Sequence, residues 1–250
     1  SALTIQGAKL IGGHTLESRK FSEEHFSLGI ESSLTVNGII EDKKYFWSKG
    51  GIKKGDQILI SRSLGTGIIF SAFMNGKVKP YVLDAVLKEM NKSQHDIVKY
   101  INQLERINPN SKIVNACTDI TGFGLLGHLS EMLESTNSDQ LKMNLEPLKI
   151  ILELDRIPVY DGVKELVYEG FESTLAPSNK IFIKNINGDK NLRFEIISND
   201  LSSNNSFYNT MLKILVDPQT CGPLVVSCSS SYSEKLIQQG PWIKIGFISE

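Results

Sequence analysis

Short β-branched apolar runs alternate with amphipathic stretches along most of this chain. Gln57 to Ile60, Leu224 to Val226 and Trp242 to Ile248 read as strands, whereas Tyr81 to Met90, Asp96 to Ile107, Gly162 to Tyr168, Tyr208 to Leu215 and Tyr232 to Gln239 carry helical spacing. Ile113 to Cys117 is apolar and β-branched at its start, which predicts a buried strand. After it, Leu125, Leu126, Leu129, Met132 and Leu133 form one helical stripe, with Ser130, Glu131 and Glu134 expected to face water. A further strand is expected near Leu141 to Leu145. Towards the amino end, Ser1 to Gln6 reads as the tail of a helix, Lys9 to Gly12 as a strand, and His25 to Val36 as a long strand closed by Asn37 and Gly38. Ser198 to Asn209 is rich in Ser and Asn and reads as a mobile loop. Strands and helices in this order imply α+β, or a mixed α/β layer arrangement, rather than a regular doubly wound sheet. The Gly50-Gly51 pair and the lysine-rich loop before it place a boundary between residues 1–50 and 51–250.

Composition narrows the chemistry by exclusion. Hydrophobic residues make up 40% of the 250 and charged residues 22%, as in ordinary globular proteins, and the net charge of −1 provides no overall basic surface. Lys43, Lys44, Lys49, Lys53 and Lys54 are the one candidate basic cluster, and Asp42 and Asp56 lie among them, so the reading is a solvated loop with no nucleic-acid partner. Three cysteines, Cys117, Cys221 and Cys228, are odd in number and lack zinc-ligand spacing. A reducing compartment is the simplest expectation. No apolar run approaches the roughly 20 residues that span a bilayer, and no leader pattern opens the chain. A cytoplasmic protein without a membrane partner is expected.

The stretch from Ala116 to Leu133, ACTDITGFGLLGHLSEML, concentrates the candidate chemistry. Thr118, Asp119 and Thr121 place oxygens at the carboxyl end of the expected strand, and Gly122, Gly124 and Gly127 bare the backbone where the chain turns into a helix. Amides at a helix start favour an anion, and Asp119 is a hard oxygen ligand suited to Mg2+ bridging to phosphate. Two other uses of the same residues stay open. Asp119 or Thr121 can serve only as a helix cap, with the glycines permitting close packing. Alternatively, Gly122, Gly124 and Gly127 fit G-x-G-x-x-G, with Glu146 about 20 residues on as a ribose-binding acid. A carboxylate beside a pyrophosphate repels it unless a cation intervenes, which turns the reading from a dinucleotide towards metal and phosphate.

ACTDITGFGLLGHLSEM resembles the signature of the selenophosphate synthetases, also called selenide, water dikinases. LIGGHT at Leu10 to Thr15 resembles that family's nucleotide-site segment, LGTG at Leu64 to Gly67 the segment opening its second domain, and DPQTCG at Asp217 to Gly222 its DPQTSGG. The matches occur in family order and span nearly the whole chain, except that Lys184 to Tyr208 matches poorly. The resemblance implies the two-domain fold shared with aminoimidazole ribonucleotide synthetase. Residues 1–50 would then be the end of a first domain that carries the ATP site and pairs across a homodimer, and 51–250 the second, α+β domain.

The activity so implied is ATP-dependent phosphorylation of selenide to selenophosphate, with AMP and orthophosphate as the other products. By the same resemblance Asp119 is a magnesium ligand, and Gly12, Gly13, His14 and Thr15 contact the nucleotide. The family's nucleophilic cysteine or selenocysteine and its lysine are expected before the position that Ser1 matches, so no catalytic residue is assigned and the chain alone is expected to be inactive. Cys221 replaces the family serine, Pro223 stands at the second glycine and removes an amide donor, and Arg62 in Ser61 to Ser63 stands in a Thr-Lys-Pro type segment, keeping charge without lysine's shape. Cys117 and Cys228 read as small strand thiols, and Cys221, in a turn, as the one to test for reactivity. Two alternatives remain, a related ATP-binding enzyme of the superfamily and a non-catalytic regulatory or partner-binding relic.

Overall fold

Ile58 and Ile60 project to one side of a four-residue strand and Leu59 to the other, and all three are buried. A strand covered on both faces needs a layer above and a layer below. The computed structural model, which describes residues 2–5, 7–14, 33–40, 42–186, 193–199 and 206–250, shows both layers. Contacts divide the chain into two compact units, Ser1–Phe46 and Trp47–Glu250.

In the first unit the described elements are the helix Ala2–Ile5 (α1) and a single 3-10 turn at Lys43–Tyr45. Residues 8–14 and 33–40 have no regular structure and are exposed. The strand expected at Lys9 to Gly12 is therefore not formed, nor is the part of the His25 to Val36 strand that falls within the described residues; positions 25–32 lie outside them. A strand exists only where a neighbour accepts its amides and carbonyls, and among the described residues none pairs with these segments.

The second unit contains β1 (Gln57–Ile60), α2 (Thr66–Met74), α3 (Pro80–Met90), α4 (His95–Ile107), β2 (Val114–Asp119), α5 (Gly124–Lys142), β3 (Lys149–Glu153), α6 (Val163–Tyr168), α7 (Ala176–Asn179), α8 (Ile181–Ile186), β4 (Arg193–Ile197), α9 (Ser206–Leu215), β5 (Leu224–Cys228), α10 (Ser230–Gln239) and β6 (Ile243–Ser249). The strands form one sheet in the order β2-β5-β1-β6-β3-β4, antiparallel except for the β3–β4 pair. Buried side chains of α2, α3, α5, α6 and α9 cover one face, and those of α4 and α10 cover the other. The fold is α+β, as expected.

Several boundaries differ from expectation, each for a physical reason. The strand near Leu141 to Leu145 is replaced by a helix end and a loop, because α5 runs on to Lys142 and the strand starts at Lys149. Asn137 fixes that changeover: fully buried on α5, its amide donates to the Leu148 carbonyl at 3.0 Å and its Oδ1 accepts the Leu148 N–H at 2.8 Å. Ser130 does not face water but is buried, with its hydroxyl returned to the Leu126 carbonyl at 2.8 Å. The loop expected at Ser198 to Asn209 is partly helical, since α9 starts at Ser206; 200–205 lie outside the described residues. Strand β2 changes register between Val114 and Ala116. Val114 consequently packs with the α4 and α10 layer while Ala116 packs on the α5 side. Among the described residues, no helix is long and apolar enough to cross a membrane.

Candidate functional site

At the end of β2, Asp119 pairs in register with Leu224 of β5, and the next amide, Ile120 N–H, donates to the Pro223 carbonyl at 2.9 Å. Pro223 contributes the atom a proline still has, its oxygen. Beyond the buried Ile120 the chain bends through Thr121, Gly122 and Phe123 into α5. Gly124 takes φ +68° there, and a Cβ on it would lie 2.7 Å from the Val216 carbonyl carbon, so conformation and space both demand glycine. Asp119 itself is exposed. Neither it nor Thr121 caps the helix, because the cap position is Phe123 and no side chain bonds to it.

Two other glycine-bearing segments meet this bend. Gln219 N–H donates to the Thr121 carbonyl at 2.9 Å, and the buried Asn179 amide donates to the carbonyls of Gly122 at 2.8 Å and Val216 at 3.0 Å. The Gln219 side chain reaches the other way, its Oε1 accepting from Gly65 N–H at 3.0 Å and from Thr66 N–H and hydroxyl at 3.2 Å each. Asp217 Oδ2 accepts the Gly67 and Ile68 amides at 3.1 and 3.3 Å. The first-turn amides of α2, which no local side chain caps, are thereby satisfied from a segment about 150 residues away. Gly67 leaves the room for this, since a Cβ there would lie 2.4 Å from the Pro218 carbonyl oxygen and 2.6 Å from Asp217 Oδ1.

The electrostatics divide the site into a buried interior and an open edge. Asp217 is fully buried and its Oδ1 has no hydrogen-bond partner among the described residues; burial pushes its carboxyl up to about 7 against the pull of the Ile68 amide, Gln219 and the Gly67 amide. His128 is buried at 6% exposure, and burial lowers its pKa, opposed by Glu131. Burial, then the Asp119 charge, pushes the Cys117 thiol up to about 12, and burial does the same for Cys228 with Asp56 and Glu105 adding to it. Cys221 is exposed, at φ +48°. Arg62 donates from one guanidinium nitrogen to the Cys221 carbonyl at 3.1 Å and from the other to the Lys92 carbonyl, so its charge anchors backbone.

Of the residues singled out from sequence, Asp119 stands at this corner, while Gly12, Gly13 and His14 belong to the first unit, exposed and without regular structure. Thr15 lies outside the described residues. Asp119 fits a cation as one hard, solvent-facing oxygen ligand at the end of a fixed strand; among the described residues no group of three or more His, Cys, Asp or Glu side chains forms a complete site. The dinucleotide alternative does not survive the topology. It needs β2 and β3 as parallel partners around α5, yet among the described residues β2 pairs only with β5, and Glu146 is exposed in a loop rather than at a strand end. Gln219, Asn179 and His128 were not picked out from sequence as structural hubs. Their bonds to the corner and to α2 span 7 to 154 residues, and while the DPQTCG and GLLGH motifs contain Gln219 and His128, no motif signalled Asn179. The grooves of 380 and 530 Å³ along α3 share Tyr81, Val82 and Asp161 and include none of the corner residues.

Residues 53–238 match the family described as AIR synthase related protein, C-terminal domain. A selenide, water dikinase of Clostridioides difficile is 27% identical over 232 residues, covering 93% of this chain and 55% of its own length. Another, from Caldanaerobacter subterraneus subsp. tengcongensis, is 31% identical over 237 residues with the same shares, 93% and 55%. The chain thus spans about half the length of the curated relatives it matches. A crystal structure of thiamine monophosphate kinase from Aquifex aeolicus superposes at a TM-score of 0.45 with 14% identity, over 82% of this chain and 50% of its own.

Proposed function

The chain belongs to the AIR synthase related family through its C-terminal domain, and from that premise we propose that it is part of a selenide, water dikinase. The observation that carries this reading is the likeness of 31% over 237 residues to an enzyme of that name. The proposed reaction is ATP-dependent conversion of selenide to selenophosphate, releasing AMP and orthophosphate, in a homodimeric, cytoplasmic parent enzyme. In this reading residues 1–50 complete the ATP-binding and dimerisation domain and 51–250 form the α+β domain.

Phosphoryl transfer asks a protein chiefly to position charged oxygens and neutralise them. Asp119 would hold Mg2+, which supplies positive charge to the phosphate oxygens when bound. The β2–β5 pairing and the two-sided grip on Thr121 fix where that carboxylate stands. Gly12 and Gly13 would let the nucleotide approach bare backbone, and His14 and Thr15 would donate to it. No nucleophile is assigned within the chain: thiols pushed up to about 12 at Cys117 and Cys228 carry almost no thiolate at neutral pH, and the exposed Cys221 stands where the resembled family has a serine. The chain alone is accordingly expected to be inactive.

The test is turnover of the full-length parent with ATP and selenide. AMP release that requires selenide is expected, and Asp119→Ala should lower it at least about 100-fold at limiting Mg2+ while leaving circular dichroism unchanged. Selenide-independent ATP use would refute the reaction, and unchanged kinetics in Asp119→Ala would remove that residue from the metal.

A further inference from the structure

We infer that His128 is the positioning residue of the Asp119 bend, acting as a neutral imidazole whose single proton sits on Nδ1. The inference deepens the dikinase reading and rests on it for its link to metal. The backbone N–H of Thr121 lies 3.1 Å from His128 Nε2, and a peptide N–H can only donate, so Nε2 must present a lone pair. The proton is left to Nδ1, which stands 3.0 Å from Glu131 Oε2 and donates to it. Glu131 Oε2 is held in turn by Lys49 Nζ at 2.8 Å. A carboxylate that selects the imidazole tautomer is a recognised way of orienting that ring.

The consequence for the bend is specific. Thr121 is gripped on both sides of its backbone, its amide by His128 and its carbonyl by Gln219 N–H at 2.9 Å. Its hydroxyl also lies 3.1 Å from the same Nε2. The two peptide planes that flank Thr121 are therefore held from outside the bend, while the plane that leaves Asp119 is held by the Ile120 N–H bond to the Pro223 carbonyl. The imidazole has little freedom itself, being 6% exposed with the Phe123 ring 5.7 Å away, and Phe123 packs edge-on against Phe182 at 6.0 Å. Proton placement on an imidazole 7 residues beyond Thr121 thus governs the grip on the bend that follows the Asp119 carboxylate.

Nitrogen NMR on the 250-residue chain labelled at its four histidines, His14, His25, His95 and His128, tests the tautomer without any activity. The signal lost in His128→Gln should show a protonated Nδ1 and a bare Nε2 near neutral pH. A protonated Nε2 in the unmodified chain overturns the inference. In the parent, His128→Leu should raise the Mg2+ concentration for half-maximal turnover about tenfold, and His128→Gln, whose amide oxygen can still accept from Thr121, should restore most of it. An unchanged Mg2+ requirement in a folded His128→Leu enzyme would also overturn it. A parent that makes no selenophosphate would refute the dikinase reading alone, because the NMR result judges His128 independently.

Discussion

Asp217 shows how a single carboxyl can tie a fold to pH. Its usual value near 3.9 is raised to about 7 by burial, so in the folded chain it keeps a proton that the unfolded chain has already released. The stability this group contributes is then fully present below about pH 4 and is lost as pH rises through about 7, because the unfolded state binds fewer protons at this site over that window. Denaturation of Asp217→Asn beside the unmodified chain should isolate this term: the substitution removes the decline, and the difference between the two should grow from pH 4 to pH 7. Parallel curves would mean that Asp217 is ionised in the fold. The cysteines separate by the same logic. An alkylating reagent at pH 8 should label the exposed Cys221 in the native chain, while Cys117 and Cys228, with thiols near 12, should react only on unfolding. Mass spectrometry of the digested protein reads the order of labelling, and early modification of Cys228 would contradict the packing around it.

Elements were legible in the sequence to the extent that they are half-buried. Tyr81 to Met90 and Asp96 to Ile107 lie almost residue for residue within α3 and α4, since each presents one face to a layer and one to water. Helix α2, TGIIFSAFM, escaped notice because Ile68, Ile69 and Ala72 are all buried and its apolar residues show little periodicity. Strand β4 escaped for a different reason. Its pattern, RFEII, gains meaning only from parallel pairing with β3. The candidate corner was legible as a motif but not as a joint, because what holds it comes from Gln219, Asn179 and His128. Its glycines are accordingly unequal. A Cβ at Gly222 would fall 1.9 Å from the Ile120 carbonyl oxygen, whereas one at Gly122 would meet nothing within 4 Å among the described residues. Gly222→Ala should cost about 3 kcal/mol or more and Gly122→Ala less than about 1 kcal/mol, as measured by urea unfolding; equal costs would show that the β2–β5 junction yields easily.

The second unit as a whole is a sheet with a core on each side, and adjacent residues of β1 report on the two cores separately. Leu59→Ala empties a site beneath α4 and α10, and Ile60→Ala empties one in the larger cluster with α2 and α5. Both side chains are fully buried, so each truncation should lower unfolding free energy by roughly 2–5 kcal/mol. A loss below about 1 kcal/mol at Leu59 would mean that the smaller layer is not packed in solution. The strand order carries a further consequence for how such a protein is made. None of β1, β2 and β3 pairs with another of the three: β1 lies between β5 and β6, β2 against β5, and β3 between β6 and β4. A nascent polypeptide leaving the ribosome therefore emits three strands with no mates among themselves. β3 gains one mate when β4 emerges, but β1 and β2 wait for β5 and β6, the last strands translated, before the sheet can close.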